Sequence, residues 1–149
     1  MKTAKFNALQ EVLSGSFYKC KSLSSIYFPS AVRACTNAFA HDTSLTSATL
    51  ENCHTIQNGA FSECTSLISV NLSSLDYFNE RVSLIEDTSF IDVFSNCTHI
   101  SAANFKNLSV VTSSGFTKNC SRPITYHGWL SSVYIDNEHI HSIGDGYGM

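Results

Sequence analysis

A chain of 149 residues with 43% apolar content is the size of one domain and can bury a core. A net charge of −3, with only 9 Lys and Arg, leaves no basic stripe of the kind that tracks nucleic acid. No run approaches the roughly 18 apolar residues of a membrane span, and the opening Met1–Asn7 has no apolar signal core behind it. The expectations are no nucleic acid and no membrane insertion. With no export signal in view, the chain reads as cytoplasmic, packed into a particle, or cut from a longer protein.

Phe17, Phe39 and Phe61 stand 22 residues apart, as do Phe94 and Phe116. Phe61 and Phe94 are separated by 33, one period plus 11. Other positions keep this phase. Three residues after each Phe come Cys20, Asp42, Cys64 and Cys97, with Cys120 one residue late. Six after come Leu23, Leu45, Leu67 and Ile100; nine after, Ile26, Ala48, Val70 and Ala103. Eleven after come Phe28, Leu50, Leu72 and Phe105; fourteen after, Ala31, Cys53, Leu75 and Leu108. Seventeen after come Ala34, Ile56, Phe78 and Val111. Random phase would not place apolar residues in so many columns, and a period in the low twenties signals a solenoid.

In chain order, 1–14 reads as a partial repeat, because Phe6, Leu9 and Val12 fill its last three columns. Repeats follow at 15–36, 37–58 and 59–78, then an insert at 79–92, then repeats at 93–114 and 115–143, all in one domain spanning 1–149. Each repeat offers one alternating segment: Ser25–Phe28, Ser47–Leu50, Ser69–Leu72, Ala102–Phe105 and Ser132–Ile135. Period-two alternation predicts a strand with one buried face. One strand per repeat must pair with the next, giving a parallel sheet. Segments such as Ala38–Asp42 are too short for a long helix and predict a helical or 3₁₀ turn on the outer side. Ile85 and Phe90, inside the insert, keep the five-residue gap of Ile56 and Phe61, which suggests an extra half-turn.

The string Asn58-Gly-Ala-Phe-Ser-Glu-Cys-Thr-Ser-Leu-Ile-Ser-Val-Asn-Leu72 resembles the BspA-type leucine-rich repeat, roughly I-G-x-x-A-F-x-x-C-x-x-L-x-x-I-x-L-P. Ser16–Pro29 is similar to it too. Departures are Asp42 in the Cys column, a repeat-position proline at Pro29 alone, and the insert. The resemblance implies recognition of other macromolecules, often at bacterial or protist cell surfaces, and no catalysis.

The six Cys look like a disulfide framework, but four share the column after the Phe. They read as small buried side chains whose S–H groups face turn carbonyls. Cys20 and Cys64 lie two repeats apart, near 10 Å at a strand spacing of about 4.8 Å, too far to bridge. Cys97 and Cys120 are one repeat apart, so that bridge stays open. No Cys-x-x-Cys pair marks a zinc site. His139 and His141, with Asp136 and Glu138 nearby, could hold a metal but read as solvated. There is no Gly-x-Ser-x-Gly elbow and no phosphate-cradling glycine loop. No cofactor, metal or catalytic residue is expected; a pocket holding His127, Trp129 and a carboxylate would change that. The sequons at Asn71, Asn96, Asn107 and Asn119 matter only in a secreted eukaryotic chain.

The fold class expected is α/β: a right-handed leucine-rich-repeat solenoid with one parallel sheet and short helical or 3₁₀ turns outside. The expected binding surface is the exposed sheet face. It carries Tyr27, Thr49, Asn71, Asn104 and Tyr134, flanked by Glu51, Lys106 and Asp136, and suits a protein or glycan. An alternative is a structural or assembly part of a particle such as a virion, self-associating through uncapped solenoid ends.

Overall fold

The computed structural model describes residues 2–75 and 93–100 in full. It describes the short strands at 77–78, 102–104, 110–111, 125–127, 132–133 and 142–143 by backbone alone. The strands are β1 (Thr3–Lys5), β2 (Glu11–Val12), β3 (Ser25–Tyr27), β4 (Arg33–Ala34), β5 (Ser47–Thr49), β6 (Thr55–Ile56) and β7 (Ser69–Asn71). They continue as β8 (Tyr77–Phe78), β9 (Ala102–Asn104), β10 (Val110–Val111), β11 (Thr125–His127), β12 (Ser132–Val133) and β13 (Ser142–Ile143). The odd-numbered strands form a seven-stranded sheet in sequence order; β2-β4-β6-β8 form a second sheet and β10-β12 a third. Every pair is parallel. The chain is a parallel-strand solenoid.

Register follows the period. Ile26 pairs with Ala48 and Ala48 with Val70. Val70 then pairs with Ala103, so the longer repeat closes without shifting the sheet. Phe61 and Phe94 stack at 5.6 Å, the same closure on the opposite side. Ile85 and Phe90, read as a half-turn, lie outside the described residues.

Two expectations need correction. The first six coils each carry two strands among the described residues where one was expected. The second is only two residues long, too short for alternation to stand out, although its inward residues Val12, Ala34 and Ile56 are buried. Secondly, Ser132–Val133 does not join the main sheet: it pairs with Val110–Val111. The main-sheet strand of that coil is Thr125–His127, with Tyr126 opposite Ala103, followed by Ser142–Ile143. The late Cys120 had already signalled the slip. Once Tyr126 fills the nine-column, Val133 falls over Val111 in the seventeen-column.

The outer side holds the expected turns, and there is no helix among the described residues. The reason is where its N–H groups point. Phe17 donates to the Ala38 carbonyl at 2.9 Å, Lys19 to Ala40 at 2.9 Å, Phe39 to Ala60 at 2.8 Å and His41 to Ser62 at 2.8 Å. The N–H groups between these close single turns onto the carbonyl three residues back: Tyr18 to Gly15 at 3.0 Å, Cys20 to Phe17 at 3.1 Å, Ala40 to Asn37 at 3.2 Å and Ser62 to Gly59 at 2.9 Å, so turn and inter-coil bonds alternate and no continuous helical run forms. Left-handed residues bracket each segment: Gly15, Asn37 and Gly59 (φ 66°, 54°, 63°) enter it, and Lys19, His41, Glu63 and Asn96 (φ 59°, 62°, 60°, 58°) leave it. Between them runs the aromatic stack. Phe17 meets Phe39 at 5.4 Å, and Phe39 meets Phe61 at 4.9 Å. Leu23, Leu45, Leu67 and Ile100 fill the space between stack and sheet.

Candidate functional site

Alternation sorts the residues of the seven-stranded sheet. Ala4, Ile26, Ala48 and Val70 point inward and are buried. Outward stand two columns: Thr3, Ser25, Ser47 and Ser69, then Lys5, Tyr27, Thr49 and Asn71. Backbone register extends them to Ala102 and Asn104 on β9 and to Thr125 and His127 on β11. Tyr27 is 37% exposed, and the Lys5 ammonium lies 5.2 Å from its ring centroid. The hydroxyls of Thr3 and Ser25 are 3.0 Å apart. Along the rim, Ser24 donates to the Lys2 carbonyl (2.6 Å) and Thr46 to the Ser24 carbonyl (2.9 Å). The surface is a ladder of hydroxyl and amide groups, with one aromatic and one cation at its first end.

The structure brings Tyr27, Thr49 and Asn71 together as adjacent rungs, with Asn104 next in register. Glu51 is exposed in the turn beyond buried Leu50, and its carbonyl accepts from the Ser73 hydroxyl at 3.3 Å. Lys106, Tyr134 and Asp136 lie outside the described residues, and the strand assigned to Tyr134 pairs in the third sheet. The rung after Asn104 in the column is His127. Sequence reasoning missed Thr3 and Lys5 as the first rung; counting back two from Phe6 puts Ala4 in the inward column.

The second sheet offers less. Arg33 Nη1 and Glu11 Oε1 are 3.5 Å apart in a largely solvated pair, and the Cys35 thiol lies 3.6 Å from the same carboxylate oxygen. Among the described residues no three His, Cys, Asp or Glu side chains converge as metal ligands. His139 and His141 lie outside the described residues, as do Trp129 and Cys120, so the Cys97–Cys120 pair does too.

The cysteine column behaves as a structural ladder. Cys64 donates its S–H to the Phe39 carbonyl at 3.1 Å, and Cys97 to the Phe61 carbonyl at 3.0 Å. Burial pushes the Cys64 thiol up, and Cys53 up to about 12, so neither is a nucleophile at neutral pH. At Asp42 the column changes chemistry. This carboxyl is fully buried; Oδ1 accepts the Cys20 N–H at 2.7 Å and Oδ2 has no hydrogen-bond partner.

Six copies of the BspA-type leucine-rich repeat match the family model across residues 2–121. The chain belongs to the BspA-type leucine-rich-repeat family. No curated protein and no solved structure matches it. BspA-type repeats, like leucine-rich repeats in general, are protein-interaction or surface-type modules and are generally non-enzymatic. Among the described residues no helix is long and apolar enough to cross a membrane.

Proposed function

We propose that this BspA-type domain, spanning 1–149, is a non-enzymatic recognition module that binds a protein or glycan through the exposed face of its seven-stranded sheet. The solenoid is right-handed in this reading, the hand that parallel crossovers adopt. The observation that carries the proposal is the unbroken register of Tyr27, Thr49 and Asn71 on consecutive strands. Outward groups then recur at about 4.8 Å, a spacing suited to an extended partner. Tyr27 supplies contact area at low entropic cost, beside Lys5. Glu51 and Lys106 set orientation at the rim, and Asn104 continues the surface in register. Family membership supports a role at a cell surface, in adhesion.

The test is a Tyr27→Ser, Thr49→Arg pair on the folded domain, read by binding to a glycan array and to isolated surface proteins. Thermal unfolding should hold while binding falls at least about thirtyfold, the loss of a hot spot worth about 2 kcal/mol. Unchanged binding, with loss instead on substitution within 79–92, would move the site to the insert.

A second reading has its own observation. Phe6, Leu13 and Tyr18 are exposed on the first coil, beside a cavity of about 230 Å³ lined by Phe17, Cys20 and Leu23. Covered by another copy, that end would make the protein an assembly component, as in a virion. A concentration-dependent oligomer in light scattering, lost on Phe6→Ser with Leu13→Ser, is the outcome this reading requires.

A further inference from the structure

The cysteine column has a rule. The thiol of one coil donates to the carbonyl of the Phe one coil earlier: Cys64 to Phe39 and Cys97 to Phe61. The offset is 25 residues in the first case and 36 in the second, which is 25 plus the 11 residues by which the Phe61–Phe94 spacing exceeds the period. The same offset from position 42 reaches Phe17. The column therefore asks for a donor at position 42, and the chain supplies a carboxyl. In its charged form that group has no proton to give, while its oxygens stand in a fully buried site.

We propose that Asp42 makes the contact between coils 15–36 and 37–58 a pH-sensitive joint, closed while the carboxyl is neutral and loosened when it ionises. The surroundings give a charge nothing to pair with. Cys20 and Cys64 flank it on the neighbouring coils, and each has its thiol pushed up, by burial first and then by Asp42 itself. Lys19 and Lys21 beside Cys20 are exposed, and His41 packs edge-on against Tyr18 at 5.4 Å. Glu63, beside Cys64, adds charge of the same sign. One N–H, from Cys20, is the only hydrogen bond donated to the carboxyl among the described residues. A lone backbone donor does not offset removal of a carboxylate from water.

Burial pushes the Asp42 carboxyl from 3.8 up to about 7, and the Cys20 N–H pulls only partly the other way. In the unfolded chain the group ionises near 4. Between about pH 4 and pH 7 the native state holds a proton that the unfolded state has lost, so stability falls as pH rises through that window. Above about pH 7 both states are ionised and the loss is complete. Cys20, whose N–H holds Asp42, also lines the cavity with Phe17 and Leu23.

The experiment compares the parent domain with Asp42→Cys, which restores the column's donor, in denaturant titrations from pH 5 to pH 8. Contributions common to both proteins cancel in the ratio of their unfolding constants, which isolates position 42. That ratio should rise at least about tenfold over the interval. A constant ratio overturns the proposal. If Asp42→Cys does not fold, Asp42→Asn, neutral at every pH, takes its place with the same expectation. Carbon-13 labelling of the aspartates gives a second readout: the Asp42 carboxyl should titrate near neutrality, and a midpoint near 4 overturns the proposal.

Discussion

The first coil and the coils that follow share columns but not environments. Phe6 is 45% exposed, while Phe28, Leu50 and Leu72 in the same column are fully buried. Leu13 is 61% exposed where Cys35, one repeat on, is buried. Phe17 is half-buried at the start of a stack in which Phe39 and Phe61 are closed on both sides. Nothing intrinsic to the residue separates Phe6 from Phe28; having a coil on each side does. Burial here belongs to the interface between coils, so stability should rise coil by coil, as in a one-dimensional stack.

The largest effect that can break this comparison lies in the stack. Phe61→Ala opens a cavity between Phe39 and Phe94 and should cost about 3–5 kcal/mol, read from the shift in denaturant midpoint. Phe6→Ala, in a column that is open at its first member, should cost less than half of that. Equal losses would mean that the column position itself, and not the neighbouring coil, sets the energy.

Gly59 tests the same interface through the backbone. Its φ is +63°, and a Cβ there would meet the Asn37 carboxamide oxygen on the preceding coil. Gly59→Ala should therefore cost about 2 kcal/mol, of which the left-handed conformation accounts for roughly 1. Asn37→Gly removes the carboxamide, so adding it to Gly59→Ala should recover the collision part. A double-mutant cycle with no coupling would show that the two coils do not meet here.

The sequence made the interior legible because each buried column is sampled several times. The Phe, Leu and inward strand columns, and the parallel pairing, all follow from spacings of 22. What escaped it was sampled thinly. Two-residue strands such as Arg33–Ala34 carry no readable alternation. At Ser132–Val133 two apolar columns with similar local spacing competed, and only the slip at Cys120 distinguished them. The turn side read as a single helical or 3₁₀ turn because the segment is short; the N–H bonds that alternate between that turn and the next coil are not visible in one repeat. The adjacency of Tyr27, Thr49 and Asn71 on consecutive strands was legible from the same spacing of 22. Lys5 was missed because the first strand begins almost at the start of the chain.

The smallest expected effect asks what holds the first coil down. Two answers compete: apolar stacking on the coil above, and the Arg33–Glu11 pair that links β2 to β4. The pair is 3.5 Å apart with both side chains about two-fifths exposed (40% and 42%), so water and salt screen it. Exposed pairs of this kind contribute about 0.2–1 kcal/mol. Ala4 and Val12 on the same coil are buried against the second coil. Stacking should therefore dominate. A double-mutant cycle of Arg33→Ala with Glu11→Ala should give a coupling under about 0.5 kcal/mol that fades in high salt. Amide exchange at Val12 should stay slow in both variants. A coupling above about 1 kcal/mol that survives salt would mean the end coil is fastened by charge, and the contrast between end and interior would then be one of chemistry rather than of neighbours.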